Sequence, residues 1–447
     1  MQTRSSGAFP RKRPGDAPVP VPNRRADGQQ GRAEAVSYCR ILPSRSCRVP
    51  SRIPPLAITA YTATSALGQG RAAHAGALVA RRTGLRPNDF TEAPLACAIG
   101  RVAGLEDAPV PSAHAELDCR ENRLAWLGLQ GDGFLEVARA AIARHGASRV
   151  ALLVGTSTAS IGATEQGYRE IARGATALPG SPLLHTPHSL GLFLEAVFGT
   201  EGPCLTVATA CSSSAKIFAQ AERLIRLDLV DAAILAGVDT LCGSVLFGFN
   251  ALELVSPEPC RPFDAARNGI SIGEAAGFAL LERGARADAP SLLGHGESSD
   301  AHHMSTPHPE GLGARRALSD ALARAGLDAR DIDYVNLHGT ATRKNDEVEA
   351  ALLGDLFPPT TRASSTKGWT GHTLGAAGIL ESVLTLLALE HEFVPGTLNT
   401  TDPEPACAAQ LALDNEARAP RTALSNSFGF GGNNCSLVFA RAAGARA

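Results

Sequence analysis

The sequence contains no apolar run long enough to span a membrane, and its N-terminus lacks the apolar core of a secretory signal. The formal net charge is only −2 over 447 residues, so no overall field favours nucleic acid or an anionic surface. These absences predict a cytoplasmic protein that binds neither nucleic acid nor membranes. The hydrophobic fraction of 44% and the charged fraction of 19% are typical of a globular chain, long enough for one large enzyme or two to three domains.

The spacing of the cysteines and the scarcity of lysine are both informative. The ten cysteines show neither metal-ligand spacing nor a short disulfide framework, so we expect reduced thiols and no metal site. The histidine-rich stretch 302–308 has no cysteine or well-spaced acid to complete a metal site, and we predict that it is a loop lining a pocket entrance. Only four lysines occur, and Lys367 is notable among them because it lies in a Gly/Thr-rich turn.

Residues 1–54 differ in composition from the rest of the chain. They carry eleven Lys/Arg against three Asp/Glu and show no helical or strand period. Such a segment cannot bury enough apolar surface to offset its chain entropy. We expect a disordered basic tail or a start codon assigned too far upstream, with a basic arm or an Arg-rich targeting segment as the alternative. Order is expected to begin near Leu56.

Apolar strand-like runs alternate with helical periods from residue 56 onward, which is typical of an α/β fold. Residues 243–259 lack either period and are predicted to form a loop. Two segments, 56–290 and 291–441, each carry a turn followed by a helix rich in small residues, which is weak evidence for two similar halves. The clearest predicted strands are 232–237, 275–281 and 435–439, and the stretches 56–68 and 150–159 are each predicted to be a strand that runs into a turn. The clearest predicted helices are 69–81, 131–146 and 313–325.

The stretch from Val207 to Asp239 organises the chain, since it predicts a strand, a turn, a helix and a second buried strand. Cys211 falls where the first strand gives way to the helix. Free amide groups and the positive end of the helix dipole favour an anion there. We therefore expect the pKa of the Cys211 thiol to be lowered, which would make it a nucleophile. The alternative is a small buried residue at a tight turn.

Three further turns bear reactive or permissive residues: His338 in NLHGTAT, Lys367 and His372 in STKGWTGHTLGAAG, and the glycine-rich run SFGFGGNN at 427–434. A cysteine with separated histidines indicates covalent catalysis on a carbonyl carbon. The glycine-rich turn lets backbone N–H groups approach a developing oxyanion. A second histidine suits a further step in which a neutral imidazole donates to an enolate oxygen.

The segment after His338 offers supporting side chains. Asp346 and Glu349 are three residues apart and share a face if the segment is helical, so they would hold Lys367 or order the turn. Thr340 and Thr342 alternate with small residues, which places both hydroxyls on one side of an extended chain. They would suit an amide-bearing ligand, and turn capping is the alternative for them.

These motifs, together with CRPFDAARNGISIGEAAGF and DAHHM, resemble the β-ketoacyl-[acyl carrier protein] synthases of the I/II type over roughly residues 56–441. The resemblance implies an α/β thiolase-like fold, in which two similar halves build a five-layered αβαβα core. It implies an acyltransferase of fatty-acid or polyketide biosynthesis that acts on acyl carrier protein. No cofactor is expected, because the phosphopantetheine arrives on the carrier.

The resemblance also implies roles for particular residues. Cys211 would accept the acyl group, while His338 and His372 would decarboxylate the malonyl unit and stabilise its enolate. Lys367 would support the histidines, with Glu349 as its ion-pair partner.

The remaining implied roles concern the substrate pocket. The backbone N–H groups of Cys211 and Phe430 would form the oxyanion hole, and Phe430 would gate the acyl pocket. Thr340 and Thr342 would contact the phosphopantetheine arm. Phe428 and Gly431 are expected to contact the substrate, and Asp346 is expected to support the site.

The turn TACSSS is nearer to polyketide-type ketosynthases than to the fatty-acid enzymes, so the aryl-polyene or polyketide branch is a candidate pathway. A homodimer is expected, with a heterodimer containing a chain-length-factor-like subunit as the alternative. Two other functions compete. A thiolase-type acyltransferase should have a second cysteine in its last glycine-rich turn, and a non-catalytic chain-length-factor-like subunit should lack the nucleophile.

Overall fold

The computed structural model describes residues 52–178 and 180–443. The predicted tail, 1–54, lies outside the described residues except for its last three. Ile53 is buried and donates its N–H to Arg324 O at 2.9 Å, so the chain is already packed against the fold before the predicted Leu56. No helix among the described residues is long and apolar enough to cross a membrane. The eight cysteines in this part of the chain are free thiols.

The strands share three sheets and follow one another along the chain as β1 (Leu56–Ser65), β2 (Gly68–Gln69), β3 (Arg86–Pro87), β4 (Ala98–Gly100), β5 (Val150–Gly155), β6 (Cys204–Val207), β7 (Ala232–Asp239), β8 (Ile272–Gly273), β9 (Ala275–Arg283), β10 (Ser291–Ser299), β11 (Tyr334–Asn336), β12 (Arg362–Ser364), β13 (Thr422–Gly429) and β14 (Asn433–Ala440).

The α-helices, most of them ten or more residues long, are α1 (Gly70–Val79), α2 (Arg120–Leu129), α3 (Phe134–His145), α4 (Ile161–Ala172), α5 (Ser189–Phe198), α6 (Ser213–Arg226), α7 (Gly243–Ala251), α8 (Leu312–Ala325), α9 (Arg343–Leu356), α10 (Lys367–Thr370) and α11 (Ala377–Glu390).

The two large sheets have the same topology. The first has the order β2-β1-β9-β7-β5-β6 and the second the order β10-β14-β13-β11-β12. If the hairpin strand β2 is left out, each sheet has five strands, which can be ranked from first to fifth by their order in the chain. From one edge of each sheet to the other, these strands lie in the order third, second, fourth, fifth, first. The first three strands in this order pair in parallel, and the remaining pairs are antiparallel. The chain therefore contains two α/β halves of the same design.

The helices complete five layers. On β5, Ala151 and Leu153 face a cluster that contains α6, α11 and inner residues of the second sheet. The alternate residues Val150, Leu152 and Val154 face α2, α3 and α5 on the outside. Helices α8 and α9 cover the outer face of the second sheet. The layer order is αβαβα, with α6 and α11 between the sheets.

The elements match the sequence pattern where that pattern is strongly periodic. The predicted helix ending at Gly146 is α3, and the helix closed by Gly326 is α8. The prediction of a loop that begins at residue 243 is wrong, because Gly243–Ala251 forms helix α7. This segment, GSVLFGFNA, is apolar on all sides and contains two glycines, so no helical period marks it.

Candidate active site

Cys211 lies in a sharp turn between β6 and α6. The preceding residue, Ala210, has φ +53°, which is strained for a residue with a Cβ. Ser213, the first residue of α6, donates from Oγ to Ala210 O and accepts from Thr209 N at 2.8 Å, and these bonds hold the turn. Cys211 is buried and lies two residues before the helix begins.

The four candidate turns meet at one cavity of about 550 Å³. This volume suits a small-molecule substrate. The lining includes the side chains that the motifs singled out, namely Cys211, His338, Thr340, Thr342, His372, Phe428 and Phe430.

His372 is the imidazole that contacts the nucleophile. Its Nε2 lies 3.1 Å from Cys211 Sγ, and its Nδ1 accepts the N–H of Leu374 at 3.1 Å. Because Nδ1 is an acceptor, the neutral ring carries its proton on Nε2 and donates toward the sulfur. The backbone of His372 is held on both sides, donating to Ser271 O at 2.7 Å and accepting from Gly273 N at 2.9 Å. The motif GISIG therefore positions this histidine.

His338 is fixed by Lys367. The ammonium of Lys367 lies 3.2 Å from His338 Nδ1 and also donates to the backbone oxygen of His338 and to Glu381 Oε1. These three contacts use the three donors of the ammonium. His338 Nδ1 is therefore an acceptor, and its proton is on Nε2.

Both histidines are held neutral. Burial lowers the pKa of His338 well below its usual value, and the charge of Lys367 and the nearby His372 add to this. Burial, followed by the charge of Lys367, lowers the pKa of His372 in the same way. The two rings are perpendicular, with centroids 5.3 Å apart. The site thus presents two neutral N–H donors beside one thiol.

The predicted ion pair between Lys367 and Glu349 is wrong. Glu349 accepts the backbone N–H groups of His338 and Gly339, each at 2.8 Å, and Nδ2 of Asn426 at 3.1 Å. It orders the turn, which is the alternative that the sequence left open. Burial raises its pKa to about 7.

Asp346 likewise orders the same segment. Its carboxylate accepts the N–H groups of Thr340, Ala341 and Phe263 at 2.8–3.1 Å. Burial raises the pKa of Asp346, and these backbone N–H bonds oppose the shift.

Glu381 is the functional residue that the sequence reasoning missed. It binds Lys367, and both side chains are almost fully buried. Burial raises the pKa of Glu381 to about 7, and Lys367 opposes this. A signal was present, because Glu381 is a lone charge within a long apolar run that forms the buried part of α11. A buried carboxylate requires a partner.

The pKa of Cys211 also differs from expectation. Burial raises it to about 11, although the charge of Lys367 and the backbone N–H of Phe430 act to lower it. The helix terminus predicted a lowered pKa, but desolvation dominates in this closed site. The resting nucleophile is therefore a thiol.

The remaining predicted substrate residues separate into two groups. Thr340, Thr342 and Phe428 line the cavity, and the two threonine hydroxyls are 2.8 Å apart. Gly431 is not among the lining residues, and its N–H donates to Met304 O at 2.7 Å. The ring of Phe430 packs against Phe249 of α7, with centroids 5.5 Å apart.

Three potential metal ligands converge here, since one donor atom each of Cys211, His338 and His372 lies within 4.8 Å of the others. A divalent cation fits this trio poorly. The ammonium of Lys367 is 3.2 Å from His338 Nδ1, and a second positive charge on the same ring would be repelled in a buried site. The trio is better suited to carbonyl chemistry.

Comparison with known families agrees with this geometry. The family described as "Beta-ketoacyl synthase, N-terminal domain" matches residues 54–287, and "Beta-ketoacyl synthase, C-terminal domain" matches residues 291–401. The chain is 38% identical over 265 residues to the mitochondrial 3-oxoacyl-[acyl-carrier-protein] synthase of Arabidopsis thaliana, covering 54% of this chain and 57% of that protein. It therefore spans little more than half the length of that relative.

Two further similarities extend over more of the chain. Nodulation protein E of Rhizobium meliloti is 34% identical over 313 residues, covering 66% of this chain and 76% of that protein. The ketosynthase ApeO of Xenorhabdus doucetiae, solved in complex with its chain length factor ApeC, superposes with a TM-score of 0.81 at 37% identity, covering 87% of this chain and 98% of that chain. The fold is thus the thiolase-like fold of these ketosynthases, and the chain belongs to the β-ketoacyl synthase family.

Proposed function

We propose that the protein transfers an acyl group from acyl carrier protein to Cys211 and then condenses it with a malonyl unit on a second carrier. The observation that carries this proposal is a buried thiol beside two neutral imidazoles whose Nε2–H groups face the same cavity. The reaction is an acyl transfer followed by a decarboxylative Claisen condensation, in fatty-acid or polyketide biosynthesis.

In the first step, Cys211 Sγ attacks the thioester carbonyl carbon of the acyl carrier. A new C–S bond forms, the old C–S bond breaks, and the thiol proton ends on the departing pantetheine sulfur. The Nε2–H of His372, 3.1 Å from Sγ, stabilises the sulfur as its charge develops. The N–H groups of Cys211 and Phe430 are the proposed donors to the oxyanion.

In the second step, the malonyl thioester loses its carboxylate as carbon dioxide. The electron pair released moves onto the thioester oxygen and forms an enolate. The Nε2–H groups of His338 and His372 donate to that oxygen. The tautomer of each neutral ring matters here, because Nδ1 is an acceptor in both and the proton is therefore on Nε2. The α-carbon then attacks the Cys211 thioester, expels the thiolate and leaves a β-ketoacyl group on the carrier.

Two features disfavour the competing functions. The last glycine-rich turn, GFGGNN, contains no cysteine, whereas a thiolase-type acyltransferase needs a second one there. Cys211 is present and contacts His372, whereas a non-catalytic subunit has no need of this pair. The absence of a cofactor and the cytoplasmic location stay predictions.

We infer that a second subunit pairs along strand β6, the outermost strand of the first sheet. An unpaired edge strand presents free N–H and C=O groups to a partner. Leu205 on β6 is 39% exposed. Helix α4, after the neighbouring strand β5, exposes Ile161, Tyr168 and Ile171. The ketosynthase ApeO was solved with a chain length factor, which makes a heterodimer the alternative to a homodimer.

The function is tested by intact-protein mass spectrometry after incubation with a panel of acyl carrier proteins, on the wild type and on Cys211→Ala. A mass increase of one acyl group on the wild type alone is expected. Loading of the variant, or of neither protein, would contradict the proposal. Light scattering of the chain alone, and mixed with a candidate chain-length-factor subunit, distinguishes the homodimer from the heterodimer.

A further inference from the structure

Two basic residues stand at the mouth of the catalytic cavity. Arg343 and Lys344 line it together with Thr342 and Asn345, and both are exposed. They directly follow the segment that runs from His338 through the two cavity-lining threonines. One continuous stretch of chain therefore connects the catalytic imidazole with the basic rim.

Arg343 and Lys344 form the basic rim of the cavity, and their charges are not neutralised by strong partners. Lys344 pairs with Glu347 on its own helix at 3.1 Å, but both side chains are exposed and such pairs contribute little. Across residues 52–178 and 180–443, no acid lies within ion-pair distance of Arg343. Its guanidinium is thus available to a ligand.

Among the described residues, the two acids of the cavity lining form no ion pair with Arg343 or Lys344. Asp300 already accepts from the N–H of His308 at 3.0 Å and from Nδ2 of Asn434 at 2.8 Å. Glu253 lies on the segment that follows α7, and it is exposed to solvent.

Helix stability does not explain the placement of the two cations. Arg343 and Lys344 are the first two residues of α9, and its first turn contains Asp346 as its acid. Positive side chains are unfavourable at this end because the helix dipole is positive there. Arg343 and Lys344 therefore destabilise the N-terminus of α9. An anion bound at the cavity mouth would offset this effect.

We propose that Arg343 and Lys344 bind the phosphodiester of the phosphopantetheine arm while its thioester reaches Cys211. This inference rests on the proposed function, since it assigns the outer end of the same substrate. Guanidinium groups bind phosphate oxygens in a bidentate manner, and an ammonium adds a point charge. Thr340 and Thr342 lie between this rim and His338 along the chain, where the amide-bearing part of the arm would pass.

The test compares two ligands that differ only in the phosphate, acyl-4′-phosphopantetheine and acyl-pantetheine. Their affinities are measured by titration calorimetry on Cys211→Ala, which lacks the nucleophile. The phosphorylated ligand is expected to bind about tenfold more tightly, as for hydrogen bonds to a charged group. Adding Arg343→Ala and Lys344→Ala should remove this difference. Arg330→Ala removes a cation that is 78% exposed and does not line the cavity, so it should preserve the difference.

Equal affinities of the two ligands, or a preference that survives the double substitution, would overturn the inference. An effect of the double substitution on carrier-protein binding without any effect on the phosphopantetheine ligand would also overturn it, because the rim would then bind the carrier surface. Failure of the proposed function has a different signature, the absence of acyl loading on the wild type. Circular dichroism confirms that each variant is folded.

Discussion

The ammonium of Lys367 binds the carboxylate of Glu381, which lies fourteen residues further along the chain on α11. The same ammonium fixes Nδ1 of His338 as an acceptor. A carboxylate in one helix thereby determines which ring nitrogen of the histidine carries the proton. Glu349 stabilises the backbone of the same histidine but does not bind the lysine.

Substituting Glu381 with Gln is expected to weaken both stability and catalysis. The Lys367 charge would remain buried with only neutral acceptors, so the free energy of unfolding should fall by about 3–5 kcal/mol. Decarboxylation of malonyl carrier should fall about 10–100-fold, because the ammonium that orients His338 would lose the carboxylate that holds it. Urea unfolding and carbon dioxide release measure the two effects.

The matched variant for this prediction is Glu349→Gln. It alters the turn at His338 and Gly339 but leaves the Lys367–Glu381 pair in place. We expect a smaller loss of decarboxylation than in Glu381→Gln. The assignment fails if Glu349→Gln abolishes decarboxylation while Glu381→Gln is unaffected.

The two histidines should separate in their effects on the two half-reactions. His338→Ala should reduce decarboxylation by about 10²–10³-fold, the usual effect of losing one oxyanion donor, while acyl loading of Cys211 changes little. His372→Ala should slow both steps, because His372 Nε2 also contacts Sγ. Single-turnover loading and carbon dioxide release distinguish them. Loss of loading in His338→Ala would contradict these roles.

Alkylation of Cys211 should depend steeply on pH. With a pKa raised to about 11, the thiolate fraction grows with pH throughout the range from pH 7 to pH 10. The iodoacetamide rate should therefore rise without a plateau, and Lys367→Met should lower it by removing the cation that favours the thiolate. Mass spectrometry with Cys211→Ala as the background measures the rate. A plateau near pH 7 would show that the helix terminus dominates after all.

A side chain at Gly429 should strain the turn beside the nucleophile. A Cβ there would lie 3.0 Å from Thr209 O and 3.2 Å from Cys211 N, both backbone atoms, so the turn that carries Phe430 would have to shift by a few tenths of an ångström. Gly429→Ala should reduce acyl loading about tenfold or more, as expected when an oxyanion donor is displaced. Gly76→Ala is the control, because a Cβ there meets nothing within 4 Å on α1 and should stabilise the helix by up to about 1 kcal/mol. Equal loading by the two variants would refute the argument.

The reactive residues were predictable from the sequence for a local reason. Cys211 and His372 each lie in a turn directly ahead of a helix rich in small residues, and His338 and the run at 427–434 occur in turns next to apolar strands. Turn chemistry and apolar periodicity are both encoded over short stretches. The same reasoning gave the strands before Cys211 and His338 and the strand after the run at 427–434, but it did not give β12 or β13.

The partner of Lys367 and the pKa of Cys211 depend on packing between distant parts of the chain. Glu381 is buried because α11 lies between the two sheets, and sequence spacing alone does not reveal which acid a lysine will reach. Burial of Cys211 likewise raises its pKa more than the helix terminus lowers it. Helix α7 was missed for a different reason, since a segment with apolar residues on all sides shows no helical period.

The shared central layer also affects how the protein can be made. The inner face of the first sheet packs on α11, which belongs to the second half of the chain. A ribosome that has released only the first half has delivered Cys211 without His372, 161 residues later. Until synthesis is complete, the inner apolar surface lacks its cover and the thiol lacks its imidazole. The nucleophile therefore gains its catalytic environment only when the whole chain has folded, which delays its activation until the cavity around it can close.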